Sequence, residues 1–158
     1  DDALLVNYDK HLGLILKELK KRELNLYFHT PNGMHAKYIN INVAKQLFES
    51  GFKTIRLGLE TSDSKRQKQT GKKVTNDELK QALENLIKAG FVDSFRYFYP
   101  DKVKYSWWSF RAGARARNVG WRIDYFMISE SLVKQTKDAF ILNAVMGSDH
   151  CPVGIEFD

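Results

Sequence analysis

Two strings near the C-terminal end of the chain carry the residue types that chemistry needs. Gly120-Trp121-Arg122-Ile123-Asp124-Tyr125-Phe126 sets one carboxylate inside an otherwise apolar stretch. A buried charge must be paired, so Asp124 is either held by an arginine or histidine or works at a site. Gly147-Ser148-Asp149-His150-Cys151-Pro152 puts a carboxylate and an imidazole side by side on a turn. There the carboxylate can support the loop while the imidazole points into a cleft. Between them in character is Tyr105-Ser106-Trp107-Trp108-Ser109-Phe110-Arg111, a wide aromatic surface beside basic residues and suited to stacking on bases or sugars. Each feature alone has an ordinary structural explanation: Asp-His pairs on turns usually hold loops, and tryptophan runs usually fill cores. In the first ninety residues, His29 and Glu60 fall at the C-terminal ends of predicted parallel strands, where α/β folds place ligands. A polar residue meeting water at a strand end is the commoner explanation for both.

The elements that must position these groups follow from hydrophobic periodicity. Ala3-Leu4-Leu5-Val6, Leu24–His29 and Thr54–Glu60 read as buried strands. Lys10–Arg22 and Val43–Ser50 read as amphipathic helices between them, the second closed by Gly51. Thr75 with Glu78 forms a capping-box pattern at the head of a third helix, whose apolar stripe is Leu79, Ala82, Leu83, Leu86 and Ile87 and whose stop is Gly90. Thr61 to Lys73 reads as a basic loop or short irregular helix. After Phe91 the pattern changes to Tyr105–Phe110, Trp121–Ser129, Ala139–Val145 and Val153–Phe157, four strands separated by turns. The predicted fold class is therefore α/β. Three βα units with parallel strands are fused to a β-rich, largely antiparallel C-terminal part, forming one mixed sheet with helices packed on it. No Pro/Gly/Ser-rich linker marks the change near residue 91, so residues 1–91 and 92–158 are expected to share one core in a single composite domain over 1–158.

Composition narrows the function classes. With 158 residues, 43% hydrophobic and 28% charged, the chain can bury a core and is not a disordered tail. Its longest apolar runs fall short of the roughly 20 residues that span a bilayer, and the acidic Asp1-Asp2 start is unlike a signal peptide. Cys151, the single cysteine, excludes an internal disulfide and a cysteine-built metal site. It suggests a reducing, cytoplasmic setting or recombinant expression. A net charge of +6 makes polyanions plausible partners. Lysines such as Lys17, Lys20, Lys21 and Lys45 scatter over helices, whereas Arg111, Arg115, Arg117 and Arg122 concentrate in one short stretch. If any part touches nucleic acid, it is that stretch.

The strings AGFVDSFRYFYPD, YSWWSFR, NVGWRIDYF and GSDHCPV, from about Ala89 to the C-terminus, closely resemble the exonuclease III-like apurinic/apyrimidinic endonucleases. That resemblance implies a four-layer α/β nuclease cleaving DNA beside an abasic sugar with a divalent metal. It assigns His150 to the scissile phosphate, and Asp149 to orienting His150 or helping to hold metal. Asp124 would be the buried carboxylate fixing neighbouring groups, Trp107 would pack on the sugar, and Arg111, Arg115 and Arg117 would lie near the DNA backbone. The family's metal-binding Glu and Asn, its water-activating Asp–Asn pair and its phosphate-contacting Tyr come from an N-terminal half that this chain does not carry. Hydrolysis without a metal carboxylate and a general base loses both nucleophile and charge clamp.

DDALLVN, LYFHTPNGMHAKYI, GFKTIRLGLET and KVTNDELKQALENLIKAGF resemble consecutive βα units of the radical S-adenosylmethionine partial barrel. Glu60 would match the strand residue that approaches the adenosylmethionine ribose. That family needs a Cys-x3-Cys-x2-Cys loop for its iron–sulfur cluster, which one cysteine at 151 cannot supply. Both resemblances share the element Lys88-Ala89-Gly90-Phe91, where one can pass into the other without breaking a helix or its cap. The expectation is an engineered chimera with no intact catalytic site, no native activity, no resident cofactor or metal and no required partner. The alternative is residual abasic-DNA binding or weak Mg-dependent cleavage by Asp124, Asp149 and His150. Severed sheet edges and apolar faces need covering, and if one half does not cover the other, a homodimer is expected to do so.

Overall fold

The computed structural model describes residues 2–59 and 74–158. Glu60 and the Thr61–Lys73 stretch lie outside the described residues.

Helix ends are set by local chemistry. α1 (Leu12–Lys21) buries Leu12 and Leu16. α2 (Ile41–Glu49) starts where Asn40 Oδ1 accepts from the backbone amides of Asn42 and Val43 at 2.9 and 3.0 Å. At the head of α3 (Asn76–Ala89), Thr75 Oγ1 accepts from Glu78 N at 3.2 Å, and Glu78 Oε2 accepts from Thr75 N at 2.8 Å. This is the predicted capping box. Gly90 ends the helix at φ 109°, and a methyl group there would lie 2.7 Å from the Phe48 ring. Only glycine allows both that turn and the close approach of α2.

Between the helices runs β2 (Phe52–Gly58), one of the two central strands of a four-stranded mixed sheet. β1 (Phe28–His29) pairs parallel with it, and β4 (Asp124–Ser129) pairs antiparallel over Thr54↔Ile128 to Gly58↔Asp124. β3 (Phe91–Asp93) closes the other edge on β4. The predicted mixed α/β architecture is thus present, with strands from both halves in one sheet. β5 (Thr136–Ile141) and β6 (Val153–Phe157) pair antiparallel as a separate two-stranded sheet.

The main core lies on one side of the mixed sheet, where Ile55, Leu57 and Met127 meet Ala44 and Leu47 of α2 and Leu79, Ala82 and Leu86 of α3. A second, smaller cluster joins Phe95, Trp108, Ala139, Ile141 and Cys151. Among the described residues, no helix is long and apolar enough to cross a membrane.

Several predicted strands change form. The 3–6 run is a 3-10 turn, Asp2–Leu5, which still buries Leu5. A short apolar run specifies burial and leaves backbone form to its neighbours. Leu24–His29 pairs only at its last two residues, leaving Leu24 and Tyr27 exposed, because hydrogen bonding to the β2 segment begins where Phe28 N donates to Gly51 O. Parallel pairing in the described sheet is confined to β1–β2 and a Met34–Leu57 bridge. Tyr105–Phe110 forms no ladder, and Trp121–Ser129 and Ala139–Val145 narrow or shift to β4 and β5. Between β3 and β4 lies a helix absent from the sequence reading, α4 (Ser94–Phe98), capped by Asp93 through Arg96 N at 3.2 Å.

Candidate functional site

The segment around Ser106 and Trp107 is the hub of the C-terminal half. Trp107 exchanges backbone hydrogen bonds with Trp121 at 2.9 and 3.0 Å, and on its other side it bridges His150. Trp108 N donates to Asp149 O at 2.9 Å, and Cys151 N donates to Ser106 O at 2.8 Å. The strings of residues 120–126 and 147–152 are thus laid on either side of one extended segment. Gly120 makes the approach feasible, since a methyl group there would sit 2.6 Å from Trp107 O and from the Trp108 ring.

Ser106 is fully buried, and its Oγ accepts from the amides of Ile123 and Asp124, both at 3.1 Å. That fixes the first residue of β4. From there Asp124 Oδ2 lies 3.0 Å from His150 Nδ1, with the two side chains 24% and 29% exposed. A carboxylate can only accept, so Nδ1 carries the proton and the tautomer is set. Asp149 turns the other way: its Oδ2 accepts from Trp107 Nε1 at 3.0 Å, and Ser148 Oγ lies 3.3 Å from Oδ1. The structure therefore joins Asp124 directly to His150 and ties Asp149 to Trp107. The sequence left Asp124 either held by an arginine or histidine or working at a site, and its partner in the structure is His150.

The aromatic and basic residues divide into internal and exposed sets. Trp107 and Trp108 are buried in the two cores, as tryptophan runs usually are, and do not form the surface platform that was the other reading: their rings complete the packing around the hub. Trp121 and Phe110 are the exposed rings of this region, at 58% and 71%. Trp121 lies three residues before Asp124, in a string that singled out only its carboxylate. Arg115 stacks 4.5 Å over Trp108 and donates to the carbonyls of Ser148 and Asn143 at 2.8 and 3.0 Å, and also to that of Val145. It thus clamps the loop that leads into Asp149. Arg122 makes a bidentate pair with Asp93 at 2.6 and 2.9 Å, with both side chains about 15% exposed or less. Arg111 and Arg117 remain exposed. His29 Nδ1 lies 3.0 Å from Thr54 Oγ1 on the far side of the mixed sheet from β3, which makes it a structural partner of β2.

Electrostatics around the hub are those of burial. Desolvation pushes the Cys151 thiol above its ordinary range, so it is a protonated packing group. Among the described residues no group of three or more His, Cys, Asp or Glu side chains is placed to hold a metal ion. Asp149 already has hydrogen-bond partners on both oxygens. Asp124, Asp149 and His150 as they stand do not fit a resident divalent cation.

Comparison with known proteins divides the chain. Residues 6–101 match the model of the Radical SAM superfamily. Stretches of 79 and 77 residues are 62% and 47% identical to an exodeoxyribonuclease of Bacillus subtilis and to DNA repair nuclease APEX1 of Danio rerio. These cover 49% and 48% of this chain and 31% and 25% of those proteins, so the chain spans less than a third of either relative. Among solved structures, the Xenopus laevis APE2 catalytic domain superposes with a TM-score of 0.55 at 28% identity, covering 74% of this chain and 42% of that one. A 3'-5' exonuclease (NExo) from Neisseria meningitidis shares the fold at TM-score 0.54 and 23% identity, covering 73% of this chain and 50% of that chain.

Proposed function

We propose that this chain, which belongs to the Radical SAM superfamily over residues 6–101 and carries exonuclease III/AP endonuclease homology over about half its length, is an engineered recombination of two folds, without turnover of its own. One observation carries this reading. β2, inside the Radical SAM match, pairs with β4 of the nuclease-like half over five consecutive positions, so residues of one ancestry fill the sheet position beside the other's Asp124. The join supplies a fold, and the groups beside the Asp124–His150 pair come from a scaffold with a different chemistry.

What remains at the site is a hydrogen-bonded Asp–His pair whose Nε2 is an acceptor while the ring is neutral and would donate to a phosphate oxygen only in the doubly protonated ring. Phosphodiester hydrolysis also needs an activated water and stabilisation of the charge developing on phosphorus. The present residues do not fit the metal that would supply these, and the lone buried Cys151 does not fit a three-cysteine cluster. The secondary reading is weak, sequence-independent DNA binding, favoured by the exposure of Trp121, Phe110, Arg111 and Arg117 on the nuclease-like half.

The test is incubation with an abasic-site duplex and Mg²⁺. No cleavage above the protein-free control is expected; cleavage that His150→Ala abolishes would overturn the proposal. Fluorescence anisotropy on the same duplex across a salt series separates the secondary reading. Binding that weakens with salt and with Trp121→Ala supports it, and salt-independent or absent binding removes it.

A further inference from the structure

We propose that Gly58 is a positioning residue for the Asp124–His150 pair, a role assembled across the join between the two halves. Gly58 lies within the Radical SAM match and stands directly opposite Asp124 in the β2–β4 ladder. Its backbone does not demand glycine, since it is not among the residues with positive φ. Space provides the reason instead. A methyl group at Gly58 would lie 3.3 Å from Asp124 Oδ1, with Ile123 O next at 3.9 Å. Cross-strand side chains at directly opposed positions share one face of the sheet, so a Cβ here acts on the carboxylate itself.

The two backbones beside the carboxylate have little room to yield. Leu59 N donates to Ile123 O at 3.2 Å, which holds the two backbones at ladder distance beside the pair. Ser106 Oγ holds the amide of Asp124 at 3.1 Å from the other direction. With both backbones fixed, the contact is relieved by rotating the Asp124 side chain. That rotation carries Oδ2 away from His150 Nδ1, now 3.0 Å distant. The missing side chain of one ancestor's strand thereby keeps the other ancestor's pair intact. The inference rests on the proposed function only in treating this pair as the remnant site, and its test does not use DNA.

Nitrogen NMR of the His150 ring, at a pH where the imidazole is neutral, reports which nitrogen carries the proton. The parent protein is expected to show one tautomer, protonated at Nδ1. Gly58→Val is expected to show both tautomers, as Asp124→Ala does. Retention of the single Nδ1-protonated form in Gly58→Val would overturn the inference. Gly58→Ala covers the case in which the valine variant does not fold. It should lower Tm by roughly 2–4 °C in the parent and leave Tm unchanged in an Asp124→Ala background. Equal shifts in both backgrounds would also overturn it. Abasic-site cleavage by the parent protein that His150→Ala abolishes would count against the proposed function alone and leave this tautomer result unmoved.

Discussion

The two halves of this molecule are held by different means. In the Radical SAM-like part, helices end themselves: Asn40 and Thr75 cap through residues two and three positions on, and Gly90 turns the chain. Its tertiary structure is then mostly apolar, with Leu47, Leu86 and Ile55 fully buried against one another. In the nuclease-like part, irregular segments are tied by polar groups far apart in sequence. Arg122 reaches Asp93, Trp107 reaches Asp149, Asp124 reaches His150, and Tyr99 donates to Asp138. A helical region can lose one contact and keep its shape, because most of its hydrogen bonds are local. A region built on long-range polar ties leaves a buried, unpaired group when one tie is cut.

The largest expected effect is therefore on the polar side. Arg122→Ala strands the Asp93 carboxylate, which also caps α4, and removes a guanidinium 4.4 Å over the Tyr125 ring. Urea unfolding should show a loss of about 3–5 kcal/mol. A loss below about 1 kcal/mol, the range of exposed pairs, would break the contrast between the halves.

Thr75→Ala is the matching cut in the helical half. Removing the cap hydroxyl should cost about 1 kcal/mol, with amide exchange faster at Glu78 and unchanged at Asp124. If the loss equals that of Arg122→Ala, or exchange quickens across β4, the helical half is not locally held.

The smallest effect is one of pH. Burial raises the Tyr125 phenol above its ordinary value, opposed by Arg122 and reinforced by Asp93. The folded state thus keeps this proton at a pH where the unfolded chain releases it. Its contribution is fully present below about pH 10, the unperturbed tyrosine value, and is lost as pH rises through the folded value. Ultraviolet titration beside urea unfolding at about pH 9 and pH 11 should show late Tyr125 ionisation and falling stability. A Tyr125→Phe variant should lose less stability over the same interval, and equal losses would separate Tyr125 from the effect.

The legible parts of this fold are those whose signals lie within a few residues. The Thr75–Glu78 box, Gly51 and Gly90, and the apolar stripe of α3 were all readable because a cap is satisfied by its own chain neighbours. The strands before β2 were less legible, since a run such as Leu24–Tyr27 becomes a strand only if another strand is there to pair with it. α4 escaped notice because five residues hold too little periodicity to distinguish them from a loop. At the site, the residue types in GWRIDYF and GSDHCPV marked Asp124, Asp149 and His150. The burial of Trp107 and Trp108 was one of two readings the sequence left open, and the exposure of Trp121 was not readable, because aromatic residue types do not say which rings face inward.

By itself the sequence determined the ancestry of each half, the capped start and glycine stop of α3 and the identity of the residues able to do chemistry. These depend on side-chain type and near-neighbour spacing, which the linear chain already contains. Only the tertiary structure decided which of those residues meet. It paired Asp124 with His150 and Asp149 with Trp107, and it spent Arg115 and Arg122 on internal ties. It also set Gly58 of one ancestry against Asp124 of the other. Register across β2 and β4 is a property of two strands more than sixty residues apart, and no local signal encodes it.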